Sequence, residues 1–135
     1  MGIGYEISCN ECTYTRSVSV GVGMLHSSLE AAIESTSKKE QEKIKQIIFG
    51  KQHLENDSEG YTIFQCNTCA AIVNKYHIKI IENNKILFEN HPKCFKCKTD
   101  MNIIHCYQDQ DTIEDIKCPK CLTNNTRVVH NMLWD

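Results

Sequence analysis

Four C-x2-C pairs constrain this chain more than any other feature: Cys9/Cys12, Cys66/Cys69, Cys94/Cys97 and Cys118/Cys121. Two cysteines separated by two residues can both reach one metal ion when the backbone turns tightly between them, and the amides of that turn can donate to the sulfurs. One pair supplies two ligands and a tetrahedral site takes four. Four pairs therefore make two four-cysteine sites and leave only Cys106 of the nine cysteines over. In an oxidising compartment so many thiols would form disulfides; in a reducing one they serve metal or redox chemistry. Thiolate donors suit zinc, and the same tetrahedron also accepts iron, as in rubredoxin-like sites. Cysteines buried merely as small hydrophobes would not recur at this spacing. No strand–helix–strand context surrounds any pair, as a thioredoxin-like redox motif requires.

Two of the pairs sit in nearly the same phrase. "YEISCNEC" (5–12) and "YTIFQCNTC" (61–69) each place a short strand before a C-N-x-C turn. Their likeness suggests two halves of one zinc ribbon, closed by Cys9, Cys12, Cys66 and Cys69, with residues 13–65 as an excursion between them. Cys94, Cys97, Cys118 and Cys121 then form the second ribbon, in a C-x2-C-x20-C-x2-C spacing usual for zinc. Two other arrangements stay open: first pair with third and second with fourth, or a site that joins the two middle pairs.

Between the first two pairs the pattern changes. Val18, Val20 and Val22 alternate with small residues as a strand would. The glycines of "GVGM" (21–24) then permit a tight backbone turn; phosphate binding there is the weaker reading, since the longer glycine pattern and its Lys-Ser/Thr are missing. Ser27–Glu30 and Ser37–Glu40 both have the capping-box form. They predict one helix presenting Leu29 and Ile33 and a second presenting Ile44, Ile47 and Ile48, stopped by Gly50, with Ser35–Ser37 between them. Strands are expected at 61–65, 72–81, 86–88, 101–107 and 126–132, with a turn at 82–85.

No run of about 18 apolar residues spans a membrane, and the N-terminus lacks a signal-peptide pattern. "MGIGYE" opens like a myristoylation site, but position 6 is Glu rather than Ser or Thr. A cytoplasmic protein is expected. The formal charge is −2 with neutral thiols. Each site of four thiolates and one Zn²⁺ adds a further −2, giving −6, which is not the basic footprint of a nucleic-acid binder. His91, in "HPKC", is a ligand type, but eight paired cysteines leave no vacancy for it. Cys106 is read as a buried small residue rather than a reactive thiol. No Ser-His-Asp or Cys-His-Asn order is discernible.

The layout resembles a group of small, uncharacterised bacterial proteins, best known from Firmicutes. The matching pieces are Tyr5, Cys9, Cys12, Gly21-Val22-Gly23-Met24, the three later C-x2-C pairs and Leu133-Trp134-Asp135. The resemblance covers most of the chain and implies metal binding, without an activity to carry over. Ribbon turns are often followed by glycine; here those positions are Thr13, Ala70, Lys98 and Leu122, which leaves the turn geometry open but not the ligands.

These readings converge on a small metal-stabilised, mainly β (α+β) fold of two zinc ribbons. The first ribbon covers 1–81 and carries a helical insert at about 27–50; the second covers 82–135. Two Zn²⁺ per chain are expected, held by four protein ligands each, so that no open coordination position remains for a metal-bound water. A core this small needs such staples. The function that follows is that of a zinc-binding, non-catalytic module presenting its helical insert or a ribbon edge to a protein partner. Alternatives are a nucleic-acid-binding or transcription-linked ribbon and a thiol redox or zinc-responsive regulator.

Overall fold

A computed structural model of the chain describes residues 2–23, 28–104, 106–107, 112–113 and 116–134. It is mostly β, as the sequence patterns indicate. The strands are β1 (Gly2–Cys9), β2 (Thr15–Gly21), β3 (Glu55–Asn56), β4 (Gly60–Gln65), β5 (Ile72–His77), β6 (Lys79–Glu82), β7 (Lys85–Glu89), β8 (Asn102–Ile104), β9 (Cys106–Tyr107), β10 (Thr112–Ile113) and β11 (Thr126–Trp134). Two helices, α1 (Leu29–Glu34) and α2 (Lys38–Ile48), fall in the expected insert.

The main sheet runs β11-β1-β2-β4-β5, and β8 also pairs with β4. Strand β2 meets β4 only at Gly21↔Tyr61, while β8 takes the same strand further along, at Ile63↔Ile104 through Gln65↔Asn102. The glycines of this region serve close approach: Gly21 has φ 103°, and a Cβ on Gly60 would collide with the Gly21 carbonyl. Gly21 is the last residue of β2, paired with Gly2 and Tyr61, so at this position the segment shows a close strand approach rather than the expected tight turn; Met24 lies outside the described residues. Where β2 and β4 part, the Asn74 side chain acts as a piece of backbone. Its Oδ1 accepts from the Ser19 amide at 2.8 Å, and its Nδ2 donates to the Ser19 carbonyl at 2.8 Å and the Thr62 carbonyl at 3.2 Å. These backbone groups are half-buried, and the asparagine supplies the partners that the parting strands do not.

The expected strand over 72–81 is two strands. Asn90 breaks it by donating to the Tyr76 carbonyl at 2.8 Å and accepting from the Ile78 amide at 2.9 Å. The turn expected at 82–85 is present, with Asn83 and Asn84 at φ 50° and 63°. Two consecutive positive values mark the turn that fits the right-handed twist of a hairpin, and asparagine tolerates them best after glycine.

Both helices begin on serine caps. Ser37 accepts from the Glu40 amide, as the capping box predicts, whereas α1 starts one residue later than expected, on Ser28 accepting from the Ala31 amide. Ser27 lies outside the described residues. Gly50 (φ 72°) ends the second helix. The helices bury Ala32, Ile33 and Ile44 against Tyr76, Ile78 and Ile80, with Leu29 and Ile48 at the margin. A half-buried ion pair, Lys75 Nζ to Glu40 Oε1 at 2.6 Å, ties α2 to β5. The insert is thus a packed layer of the protein and does not project from it.

A second apolar cluster joins Tyr5, Ile7, Val18, Ile63, Ile72, Ile104 and Ile116. On the opposite face of β1, Gly2 and Gly4 let the C-terminal strand's side chains lie close. A Cβ on Gly2 would land on the Trp134 indole, and one on Gly4 would meet Met132 and Asn131. Trp134 packs edge-on to Tyr61 at 5.6 Å, and Tyr61 edge-on to Tyr76 at 5.3 Å, so an aromatic row links β11 to the helical layer.

Candidate metal centres

All four C-x2-C pairs lie in tight turns with a common hydrogen-bond pattern. The first cysteine's amide donates to the carbonyl five residues on: Cys9 to Tyr14 at 3.0 Å, Cys66 to Ala71 at 2.9 Å, Cys94 to Thr99 at 2.9 Å and Cys118 to Thr123 at 2.8 Å. In the last three turns the residue after the second cysteine donates back to the first cysteine's carbonyl. Those residues, Ala70, Lys98 and Leu122, have φ of 62°, 60° and 63°. These are the positions where glycine is usual, and the left-handed backbone that glycine would supply is adopted without it. Thr13 does not share it. Amides inside the turns point at sulfur, with Glu11 N to Cys9 Sγ, Thr68 N to Cys66 Sγ and Lys120 N to Cys118 Sγ each at 3.4 Å.

The turns meet in two groups whose sulfurs all lie within 4.8 Å of one another: Cys9, Cys12, Cys118 and Cys121 in one, Cys66, Cys69, Cys94 and Cys97 in the other. This corrects the consecutive grouping of first with second and third with fourth. The sites are nested, the chain's outer pairs together and its middle pairs together, which was the last of the arrangements left open. Residues 81 and 82 both lie in the hairpin of β6 and β7, which pair from Lys79↔Glu89 to Glu82↔Lys85. The reason for the nesting is strand order. The two look-alike hairpins, β1–β2 and β4–β5, are neighbours in one sheet, but β2 and β4 pair only at Gly21↔Tyr61, at the end away from the cysteine turns. β8 then occupies the edge of β4 next to the second turn. Each hairpin completes its tetrad from a segment delivered by another strand. Gln65↔Asn102 brings the third pair beside the second, and Cys9↔Thr126 brings the fourth beside the first.

The geometry fits tetrahedral metal. The Sγ–Sγ distances are 3.6 Å for Cys9–Cys121 and 3.5 Å for both Cys12–Cys118 and Cys69–Cys94. A disulfide requires about 2.05 Å, and these eight cysteines are free. Four sulfurs about 2.3 Å from a central zinc would be about 3.8 Å from each other.

The electrostatics of the thiols alone are frustrated. In the inner group, the amides of Cys69 and Thr68 hold the Cys66 thiol down to about 6. The Cys97 amide likewise lowers Cys94. Cys97 is pushed up to about 12, first by its hydrogen bond to Cys69 and then by burial. In the outer group, burial pushes Cys118 up, but the amides of Cys121 and Lys120 prevail and hold it at about 7. The Thr123 amide favours the Cys121 thiolate, yet burial and the sulfurs of Cys9, Cys118 and Cys12 push that thiol up to about 12. Four sulfurs this close cannot all ionise by themselves. A cation among them resolves the conflict, since its charge favours every thiolate at once.

The two centres differ in their surroundings. Inner Cys66 and Cys94 are buried with Phe64, Ala71 and Met101, and Cys69 and Cys97 border the same cluster. Thr99 Oγ1 approaches Cys66 Sγ at 3.8 Å. In the outer centre Cys118 is buried but Cys121 is exposed. That centre is braced by polar contacts: Asn10 N to the Asn125 carbonyl at 2.9 Å, Asn10 Nδ2 to Asn125 Oδ1 at 2.9 Å, and Lys120 Nζ to Thr13 Oγ1 at 2.8 Å.

Other singled-out residues fall elsewhere. His91 is exposed, 3.6 Å from Glu89, and belongs to neither cysteine group. The side chain of Cys106 lies outside the described residues. His77, not singled out by the sequence, is buried. It accepts from the Glu59 amide at Nδ1 (3.2 Å), so Nε2 carries the proton and donates to Glu89 at 2.8 Å. Gln65, also unforeseen, ties the inner turn to the segment preceding the fourth pair, donating to the carbonyls of Ala70 and Lys117 at 3.1 and 2.7 Å. Among the described residues no helix is long and apolar enough to cross a membrane. In comparisons with known proteins the chain matches no family model, no curated protein and no solved structure.

Proposed function

We propose that the chain is a cytoplasmic, zinc-binding, non-catalytic module that carries two Zn²⁺ and takes a protein partner along its exposed sheet edge. The observation that supports metal binding is the pair of closed sulfur tetrads. Each tetrad offers four protein ligands, which fills a structural zinc site and leaves no position for substrate. The metal's chemistry is then charge neutralisation and cross-linking of distant segments, and each centre ties its turns into the sheet.

The partner surface is a ribbon edge rather than the helical insert, because the apolar sides of both helices are used inside. β11 ends the main sheet and pairs only with β1 among the described residues. It exposes Val129, Met132 and Leu133. An open strand edge supplies a row of backbone donors and acceptors, and alternate apolar side chains add selectivity; strand addition is the matching mode of recognition.

Native mass spectrometry of protein purified without added chelator tests the metal reading, with two zinc ions per chain expected. Well-folded protein carrying one ion, none, or iron in place of zinc would overturn it. The edge is tested by recovering bound proteins with the wild-type chain and with Met132→Pro, which removes one donor from β11. Equal recovery by both would sink the edge.

A further inference from the structure

We propose that the third cysteine turn is a binding site for single-stranded nucleic acid, centred on Phe95. This reading goes beyond the protein-binding edge of β11 and does not depend on it.

The turn lies at the tip of a short loop closed by a bridge between Lys93 and Asp100 and by the Met101 amide donating to the Pro92 carbonyl at 3.0 Å. Its two cysteines are anchored in the inner centre, with Cys94 fully buried. Phe95, the next residue, is 66% exposed. A phenylalanine on a rigid turn and turned to water is costly unless something covers it, because burying such a side chain is worth about 1.5–3 kcal/mol. The metal-binding turn does not need an aromatic there: the other three turns carry Asn10, Asn67 and Pro119 at that place.

The surroundings say what covers it. Lys93, Lys96 and Lys98 are all exposed, and none pairs with a carboxylate among the described residues. Lys96 Nζ stands 5.6 Å from the centre of the Phe95 ring. Lys98 holds a left-handed backbone, φ 60°, that fixes where its side chain leaves the turn. The stretch 93–98 contains three cations and no carboxylate; the negative charge nearby is Asp100, across the bridge from Lys93, and the thiolates of the tetrad to which Cys94 and Cys97 belong. An apolar protein partner would have to desolvate these ammonium groups. A nucleic-acid strand offers what the site lacks, a flat base for the ring and phosphates for the lysines. Stacking on a ring is sequence-tolerant, since every base has a flat face. The formal charge of the whole chain is negative, so affinity is modest and confined to this turn.

The test is fluorescence anisotropy of the zinc-loaded full-length chain with fluorescein-labelled oligo-uridine and oligo-thymidine strands of about 12 nucleotides and the matching duplex, at roughly 50 mM salt. Expected is binding of both single strands in preference to duplex. With about three phosphates neutralised, log K falls with log salt at a slope of roughly 2. Phe95→Ala weakens binding about 5- to 150-fold, the loss of one stacked base. Lys96→Gln with Lys98→Gln flattens the salt slope. Phe95 is 66% exposed and belongs to none of the buried clusters, so zinc content and melting temperature stay close to wild-type values in Phe95→Ala; these measurements separate a lost site from a lost fold. Absence of binding at low salt would overturn the proposal. So would unchanged affinity in Phe95→Ala, or equal competition by poly-glutamate, which would mark an acidic protein partner instead.

Discussion

Lys98→Gly tests whether the turn backbone has been read correctly. Lys98 follows the second cysteine of its turn, has φ 60°, and its side chain is exposed. A left-handed backbone costs a residue with a Cβ about 1–2 kcal/mol. Glycine removes that strain but returns roughly 0.5–1 kcal/mol through the greater freedom of its unfolded chain. The net gain is about 0.5–1 kcal/mol, or roughly 2–4 °C in melting temperature for a domain of this size. The two sibling positions gain less. Leu122 is 54% exposed and gives up part of its burial, and Ala70, at 2%, loses a buried methyl worth about 0.8 kcal/mol. Thr13 provides the control. Its φ is not positive, and its hydroxyl accepts from Lys120, so Thr13→Gly should lower the melting temperature. The measurement is thermal unfolding followed by circular dichroism at fixed free zinc, because metal bound to the native state shifts the transition by mass action. A lower melting temperature for Lys98→Gly, or an equal rise for Thr13→Gly, would refute the reasoning.

Cys9→Ser and Cys118→Ser should remove the same zinc ion and leave the other in place, whereas Cys66→Ser and Cys94→Ser should remove the second; metal counts on double variants decide it, since Cys9→Ser with Cys118→Ser keeps one ion only if the nested grouping is right. A chelator should strip the protein in two phases, the outer centre first because Cys121 is exposed and the inner cysteines border a buried cluster; a zinc-release trace with one phase argues against that difference. Gly2→Ala should push the Trp134 indole off β1 and cost about 1–3 kcal/mol, read as a red shift of the single tryptophan's emission and a lower melting temperature. Ile44→Ala empties a fully buried position between α2 and the sheet and should cost about 2–5 kcal/mol, in line with an insert that belongs to the core.

The elements themselves were legible because their causes are local. Alternating valines, serine caps and a double asparagine turn act within a few residues, and the C-x2-C spacing is enough to name the eight cysteines that gather in two groups able to hold metal. Even the missing glycines did not mislead about ligands, since the turn accepts Ala70, Lys98 and Leu122 at a modest energetic cost. Asn74, Asn90 and Gln65 were not legible as structural residues. Their value lies in carbonyls and amides that approach only after the strands are placed.

The partnership of the turns is of the same kind. Sequence alone indicated a mainly β chain with four similar half-sites able to hold metal, because each half-site is a short-range hydrogen-bonded turn around two sulfurs. It could not establish which halves meet. That was settled by two strand pairings, β8 on β4 and β11 on β1, each joining segments distant in the chain. A thiolate turn recognises any other thiolate turn equally well, so the choice among them falls to the sheet that carries them.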